Sequence, residues 1–139
     1  MTLSPLAEAL AAVGDRWSLL VVAALLDGPL RNADLQEQLP GIAPNILSQR
    51  LRALEHQGLL VATPYSEHSK RFLYELTEPG RALAGALRML GDWGARHAGA
   101  PSEPPTHAAC QTPLEVRWWC PACQTPVDPE DEDAGLLYA

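Results

Sequence analysis

Apolar residues recur with a helical period along the first hundred positions, and the breaks between them are chemically marked. Ser4-Pro5 is a helix start, a capping hydroxyl followed by proline, after which Leu6, Leu10 and Val13 share one face up to Gly14. Asp15 caps a segment running through Trp17 to Leu26. Its apolar residues surround it almost completely, which marks a buried central helix, and Asp27-Gly28-Pro29 stops it. Asn32 is placed to cap a short helix, Ala33 to Leu39, broken at Pro40-Gly41. Pro44 opens another, with Leu47, Leu51 and Leu54 in one stripe and Gly58 closing it. Leu59–Val61 and Phe72–Thr77 are strand-like runs flanking a polar loop from Pro64 to Ser69, predicting a hairpin. Thr77 then caps a long helix to about Ala98, with Leu83, Leu87, Leu90 and Trp93 on one face.

A short helix, a tight turn, a second helix and a two-stranded ribbon with a basic tip make a winged helix-turn-helix. The expected class is mainly α (α+β): a winged domain over 1–98, a linker over 99–106 and a separate unit over 107–139. The linker is rich in proline and small residues. The last 39 residues hold seven of the thirteen prolines and all three cysteines, and are too poor in apolar residues to fold without a staple. No internal repeat is expected.

Charge changes the picture only through its distribution. The net charge of −7 argues against nucleic acid, but residues 1–100 carry nine basic and ten acidic side chains, whereas 101–139 carry one and seven. Within 42–74, Arg50, Arg52, Lys70 and Arg71 face only Glu55 and Glu67. So small a surplus permits DNA binding with few phosphate contacts and a shallow salt dependence. No signal-peptide pattern opens the chain, and Leu19–Leu26 is far too short to span a bilayer, so a soluble, cytoplasmic protein with reduced thiols is expected.

With the leucine stripe turned inward, the helix over 44–57 presents Asn45, Gln49, Arg52 and His56 outward, with Ser48 at the edge. Asn and Gln can pair bidentately with adenine and Arg with guanine. N-terminal positions of such a helix reach base edges best, which favours Asn45, Ser48 and Gln49. Lys70 and Arg71, in the wing over 62–73, would meet phosphates or a minor groove. Arg50 projects beside the stripe and reads as a structural ion-pair residue; Trp17 reads as core.

In the tail, His107-Ala-Ala-Cys110, nine residues, then Cys120-Pro-Ala-Cys123 form two knuckle-like pairs. A closed Cys3His set of His107, Cys110, Cys120 and Cys123 suits one structural zinc ion, with Leu114–Trp119 as an intervening strand of a zinc-ribbon-like unit. Two other readings stand: a redox dithiol at Cys120 and Cys123 with Cys110 as third thiol, or incidental cysteines in a disordered tail. Asp128–Asp133 reads as a solvated terminus, and His97 as a weaker ligand than His107.

Three ordered stretches carry a family resemblance over about 4–94. Asp15-Arg-Trp-Ser-Leu-Leu-Val-Val22 resembles the central helix of HxlR-type winged-helix transcriptional regulators, and Leu39 to Leu60 resembles their recognition helix. Tyr74-Glu-Leu-Thr-Glu-Pro-Gly80 is similar to their junction between wing and last helix. The tail resembles ribbon-like extensions on some winged-helix regulators. The resemblance implies a homodimeric regulator of double-stranded DNA, joined through its first and last helices, with room for a small effector that no residue identifies. Family members often carry a cysteine at the start of the first helix; here Leu3-Ser4-Pro5 offers none. Ala43 stands where a capping serine is usual, and Glu67-His68-Ser69-Lys70 where prolines are common. A second class fits the acidic balance: a winged-helix protein-interaction or thiol-redox adaptor that does not read DNA. No nucleophile–base spacing, phosphate-binding glycine loop or open metal position points to an enzyme.

Overall fold

In the computed structural model, which describes residues 4–67, 71–99, 103–128 and 130, Ser4, Asp15 and Thr77 cap helices as expected. The Ser4 hydroxyl accepts from the Ala7 N–H at 3.2 Å at the head of α1 (Pro5–Val13). Asp15 accepts from the Trp17 and Ser18 N–H groups at 3.0 and 2.9 Å, capping α2 (Arg16–Leu25). α2 buries Ser18, Val21, Val22 and Leu25 along one face but leaves Leu20 exposed, so it is less enclosed than its all-round apolar pattern predicts.

A short strand, β1 (Leu30–Arg31), precedes α3 (Asn32–Gln38). Asn32 is therefore inside the helix rather than capping it. The Asp34 carboxylate instead reaches back to accept from the Arg31 N–H at 2.9 Å. The turn at Gly41, with φ of 91°, leads to α4 (Pro44–His56), whose N-cap Ala43 has no side-chain hydrogen bond. At its far end Gly58 takes φ of 74° and the Leu59 N–H returns to the Leu54 carbonyl at 2.9 Å, a left-handed helix stop.

β2 (Leu60–Pro64) and β3 (Phe72–Leu76) pair antiparallel, Leu60 opposite Leu76 and Pro64 opposite Phe72, so the hairpin forms where alternation predicts it. β1 adds to the other edge of β3, with Leu30 opposite Tyr74, giving the order β1-β3-β2. The single helix expected after Thr77 is two pieces, α5 (Glu78–Arg81) and α6 (Ala84–His97). The Leu83 N–H turns to the Gly80 carbonyl at 3.2 Å, three residues back, which tightens the chain and breaks the α period.

This junction is fastened to the end of α4. The Thr77 hydroxyl donates to the Gly58 carbonyl at 2.6 Å and its N–H donates to the Leu59 carbonyl at 3.0 Å. A Cβ on Gly80 would lie 2.1 Å from the Leu59 carbonyl oxygen, closer than any side chain can approach.

The chain divides into two compact units, Met1–Leu90 and Gly91–Ala139. One apolar core fills the first, from Val13, Val21, Val22, Leu25, Leu35, Leu39, Ile42, Leu47, Leu51, Leu54, Leu60 and Leu76. In the second, β4 (Trp118–Cys120) pairs antiparallel with β5 (Thr125–Val127). The strand expected over Leu114–Trp119 is thus shorter and displaced, since residues 114–117 have no ladder partner. Among the described residues no helix is long and apolar enough to cross a membrane.

Candidate nucleic-acid interface

The leucine stripe settles how α4 is turned. Leu47, Leu51 and Leu54 are all but completely buried. Asn45, Gln49, Arg52 and His56 are consequently exposed on the opposite face, with Ser48 half-buried at its edge. The Arg52 Nε donates to the Ser48 carbonyl at 3.3 Å, one turn back, so the guanidinium lies along the helix beside its first two turns. Arg50 departs from this set as expected: its Nε lies 3.3 Å from Asp15 Oδ1, an ion-pair contact outside hydrogen-bond alignment. Burial pushes the Asp15 carboxyl up, but hydrogen bonds from Ser18, the nearby Arg50 charge and the Trp17 N–H outweigh it and leave the group below its ordinary range.

Between α3, α4 and the hairpin lies a broad cleft of about 1080 Å³. Ser48 and Arg52 line it from α4, and Arg71 from the loop end of the wing. Arg31, Asn32 and Tyr65 line it too, residues that carried no sequence signal for this place. The two-residue strand that brings Arg31 here is too short to show alternation. Arg31 is steadied by Asp34, Nε to Oδ2 at 2.9 Å and Nη2 to Oδ1 at 2.8 Å. These bonds hold the Asp34 carboxyl down at about 2. Arg52 and Arg71 outweigh Glu55 in the lining while Asp34 offsets the charge of Arg31, so the cleft carries only a small cationic surplus. Asn45 and Gln49 lie outside its lining, exposed on the free side of α4. Lys70 falls outside the described residues.

The second unit presents its four candidate ligands as two pairs. His107 Nδ1 is 3.3 Å from Cys110 Sγ, and the Cys123 N–H points at Cys120 Sγ at 3.5 Å. Hydrogen bonding with Thr112 pulls the Cys110 thiol below its usual range, and the Cys123 N–H does the same for Cys120. Among the described residues no three His, Cys, Asp or Glu side chains are gathered where one metal ion could hold them. His97 is engaged elsewhere, its ring stacked on Trp93 at 5.0 Å and its Nδ1 3.0 Å from the Trp93 carbonyl.

A buried helix, a helix-turn-helix and a three-stranded sheet ending in a hairpin define the winged helix-turn-helix class. The HxlR-like helix-turn-helix family matches residues 12–102, and the chain belongs to that family. An uncharacterised HTH-type transcriptional regulator of Mycobacterium tuberculosis is 38% identical over 119 residues, 84% of this chain and 75% of the relative. The HTH-type regulator YtcD of Bacillus subtilis is 36% identical over 88 residues, 63% of this chain and 70% of YtcD. Among solved structures, the candidate transcription factor PA1607 superposes with a TM-score of 0.74 at 34% identity, covering 91% of this chain and 90% of that one. Fold and family together make this chain a DNA-binding transcriptional regulator.

Proposed function

We propose that this regulator reads a specific duplex sequence as a homodimer, with α4 in the major groove and the wing on backbone or minor groove. The observation that carries the reading is the division of α4 into a buried leucine face and an exposed face bearing Asn45, Gln49 and Arg52. Asn45, Ser48 and Gln49 are the base-edge candidates of its first turns, with Arg52 positioned for guanine. Arg71, and Lys70 by its sequence position, supply phosphate contacts. Each subunit would occupy one half of a palindromic site, with the half-sites about one helical turn apart.

Dimer formation has its own support. Leu6 and Leu10 on α1 are 68% and 55% exposed, and Met89 and Leu90 on α6 are exposed as well. Apolar side chains repeated on the faces of two helices favour burial against a second copy. The second part of the proposal is a zinc-ribbon-like unit in which His107, Cys110, Cys120 and Cys123 hold one structural zinc ion. A four-ligand set leaves no position for a reactive water, so the ion would cross-link the unit and do no chemistry.

The test is a titration of the protein into labelled duplex from immediately upstream of its own gene, against a shuffled duplex at equal salt. Binding at least about tenfold tighter to the native duplex is expected. Arg52→Ala should weaken that preference by about 1–3 kcal/mol while leaving binding to the shuffled duplex nearly unchanged. Equal binding of native and shuffled DNA by the wild type, for this and other candidate sites, would leave the adaptor reading standing.

A further inference from the structure

The second unit does contain a repeat. His107-Ala-Ala-Cys-Gln-Thr-Pro113 recurs as Cys120-Pro-Ala-Cys-Gln-Thr-Pro126, with the last five positions identical. The first position is histidine in one copy and cysteine in the other. The two segments also fold alike. The Gln111 N–H donates to the His107 carbonyl at 2.7 Å, and the Gln124 N–H to the Cys120 carbonyl at 2.8 Å. Gln111 and Gln124 have φ of 58° and 55°, the only non-glycine residues with positive φ among those described. Left-handed backbone is unfavourable for a residue with a Cβ, so two left-handed glutamines at equivalent positions mark one loop built twice.

The register agrees. In the first loop His107 bonds to Thr112 and Thr106 bridges to Pro113; in the second Cys120 pairs with Thr125 and Trp119 with Pro126. Each loop turns its first and fourth side chains toward each other, with Nδ1 as the ring nitrogen that faces sulfur in the first. In the second, the fourth residue's N–H points at the first residue's sulfur, which orients that sulfur within the loop.

We infer that residues 107–113 and 120–126 are two copies of one metal-binding knuckle. His107 Nδ1 stands where the second copy has Cys120 Sγ, and one thiophilic divalent cation joins the copies by drawing them together. This rests on the zinc part of the proposed function and specifies it. Each loop is a half-site with two donors, and a tetrahedral ion takes two from each. The described ligands are not gathered at one point, so binding brings the loops together. The three thiols each release a proton on ligation, while His107 keeps its proton on Nε2.

The experiment is an anaerobic cobalt(II) titration of the reduced full chain, followed by absorption, with a nitrogen-15 spectrum of the cadmium-113 form. One cobalt per chain is expected. Thiolate-to-cobalt absorption should rise in the ratio four to three in His107→Cys and fall to two-thirds in Cys110→Ser, in proportion to the thiolates bound. Cadmium should couple to His107 Nδ1 in the wild type, a readout that needs no variant to fold. Coupling to Nε2, or a His107→Cys protein that binds one cobalt without added absorption, overturns the equivalence of the knuckles and leaves the zinc reading intact. Two cobalt ions per chain overturn the joining of the copies. Absence of any thiolate band in the wild type sinks the zinc reading itself.

Discussion

The two units hold their backbones in opposite ways. Met1–Leu90 carries every buried apolar side chain among the described residues, from four helices, a loop and two strands converging on one core. The described residues of Gly91–Ala139 include none, and Leu114, Val116, Trp118 and Trp119 are exposed. Order there comes from the end of α6, two tight turns and a three-residue strand pair. A core spreads its stabilisation over many contacts, whereas a unit of this size without one depends on a staple. The first unit should therefore be sensitive to side-chain volume and the second to ligand chemistry.

Chelation is the strongest way to break the comparison. Structural zinc contributes about 10–16 kcal/mol of apparent folding free energy in small metal domains. A chelator should collapse the amide dispersion of residues 107–127 in a heteronuclear spectrum while α4 resonances persist. Loss of both together would show that the contrast is wrong. Next in size, Leu51→Ala removes a 2% exposed side chain from the core and should cost about 2–5 kcal/mol in urea unfolding. Trp119→Ala, at a position 61% exposed, should stay within about 0.5 kcal/mol.

Smaller effects sharpen the account of the first unit. Asp15→Ala strips the cap of α2 and the partner of Arg50, and should cost about 1–2 kcal/mol. Because the Asp15 carboxyl is held below its ordinary range, its contribution is present above that range and is lost as pH falls through the folded value. Asp34 should give the smallest signal. Its support for Arg31 is complete above 3.8 and disappears as pH falls through about 2, readable as the midpoint of its carboxyl carbon shift.

The units also differed in how far their structure was legible. The α4 stripe was clear because Leu47, Leu51 and Leu54 follow the helical period and Pro44 and Gly58 bracket them. β1 was missed because Leu30-Arg31 is too short to alternate, and with it went the placement of Arg31 in the cleft. The α5–α6 break was missed because apolar spacing continues across it while the backbone tightens at Gly80. In the second unit, alternation over Leu114–Trp119 suggested a strand, but pairing begins only at Trp118. Local pattern reports burial, and where none of the described residues is buried it has little to report.

Gly80 carries one further consequence. Its contact with the Leu59 carbonyl, beside the Thr77 bond to Gly58, welds the end of α4 to the root of the last helices through atoms that carry no sequence preference for DNA. Drift at Gly80 is closed, since even alanine would push the weld apart. Drift at Asn45, Gln49 and Arg52 is open, because nothing in the core leans on them. On the proposed reading of DNA by α4, a lineage built on this frame would change which promoter it answers to by exchanging a few outward letters, and inherit the scaffold unchanged.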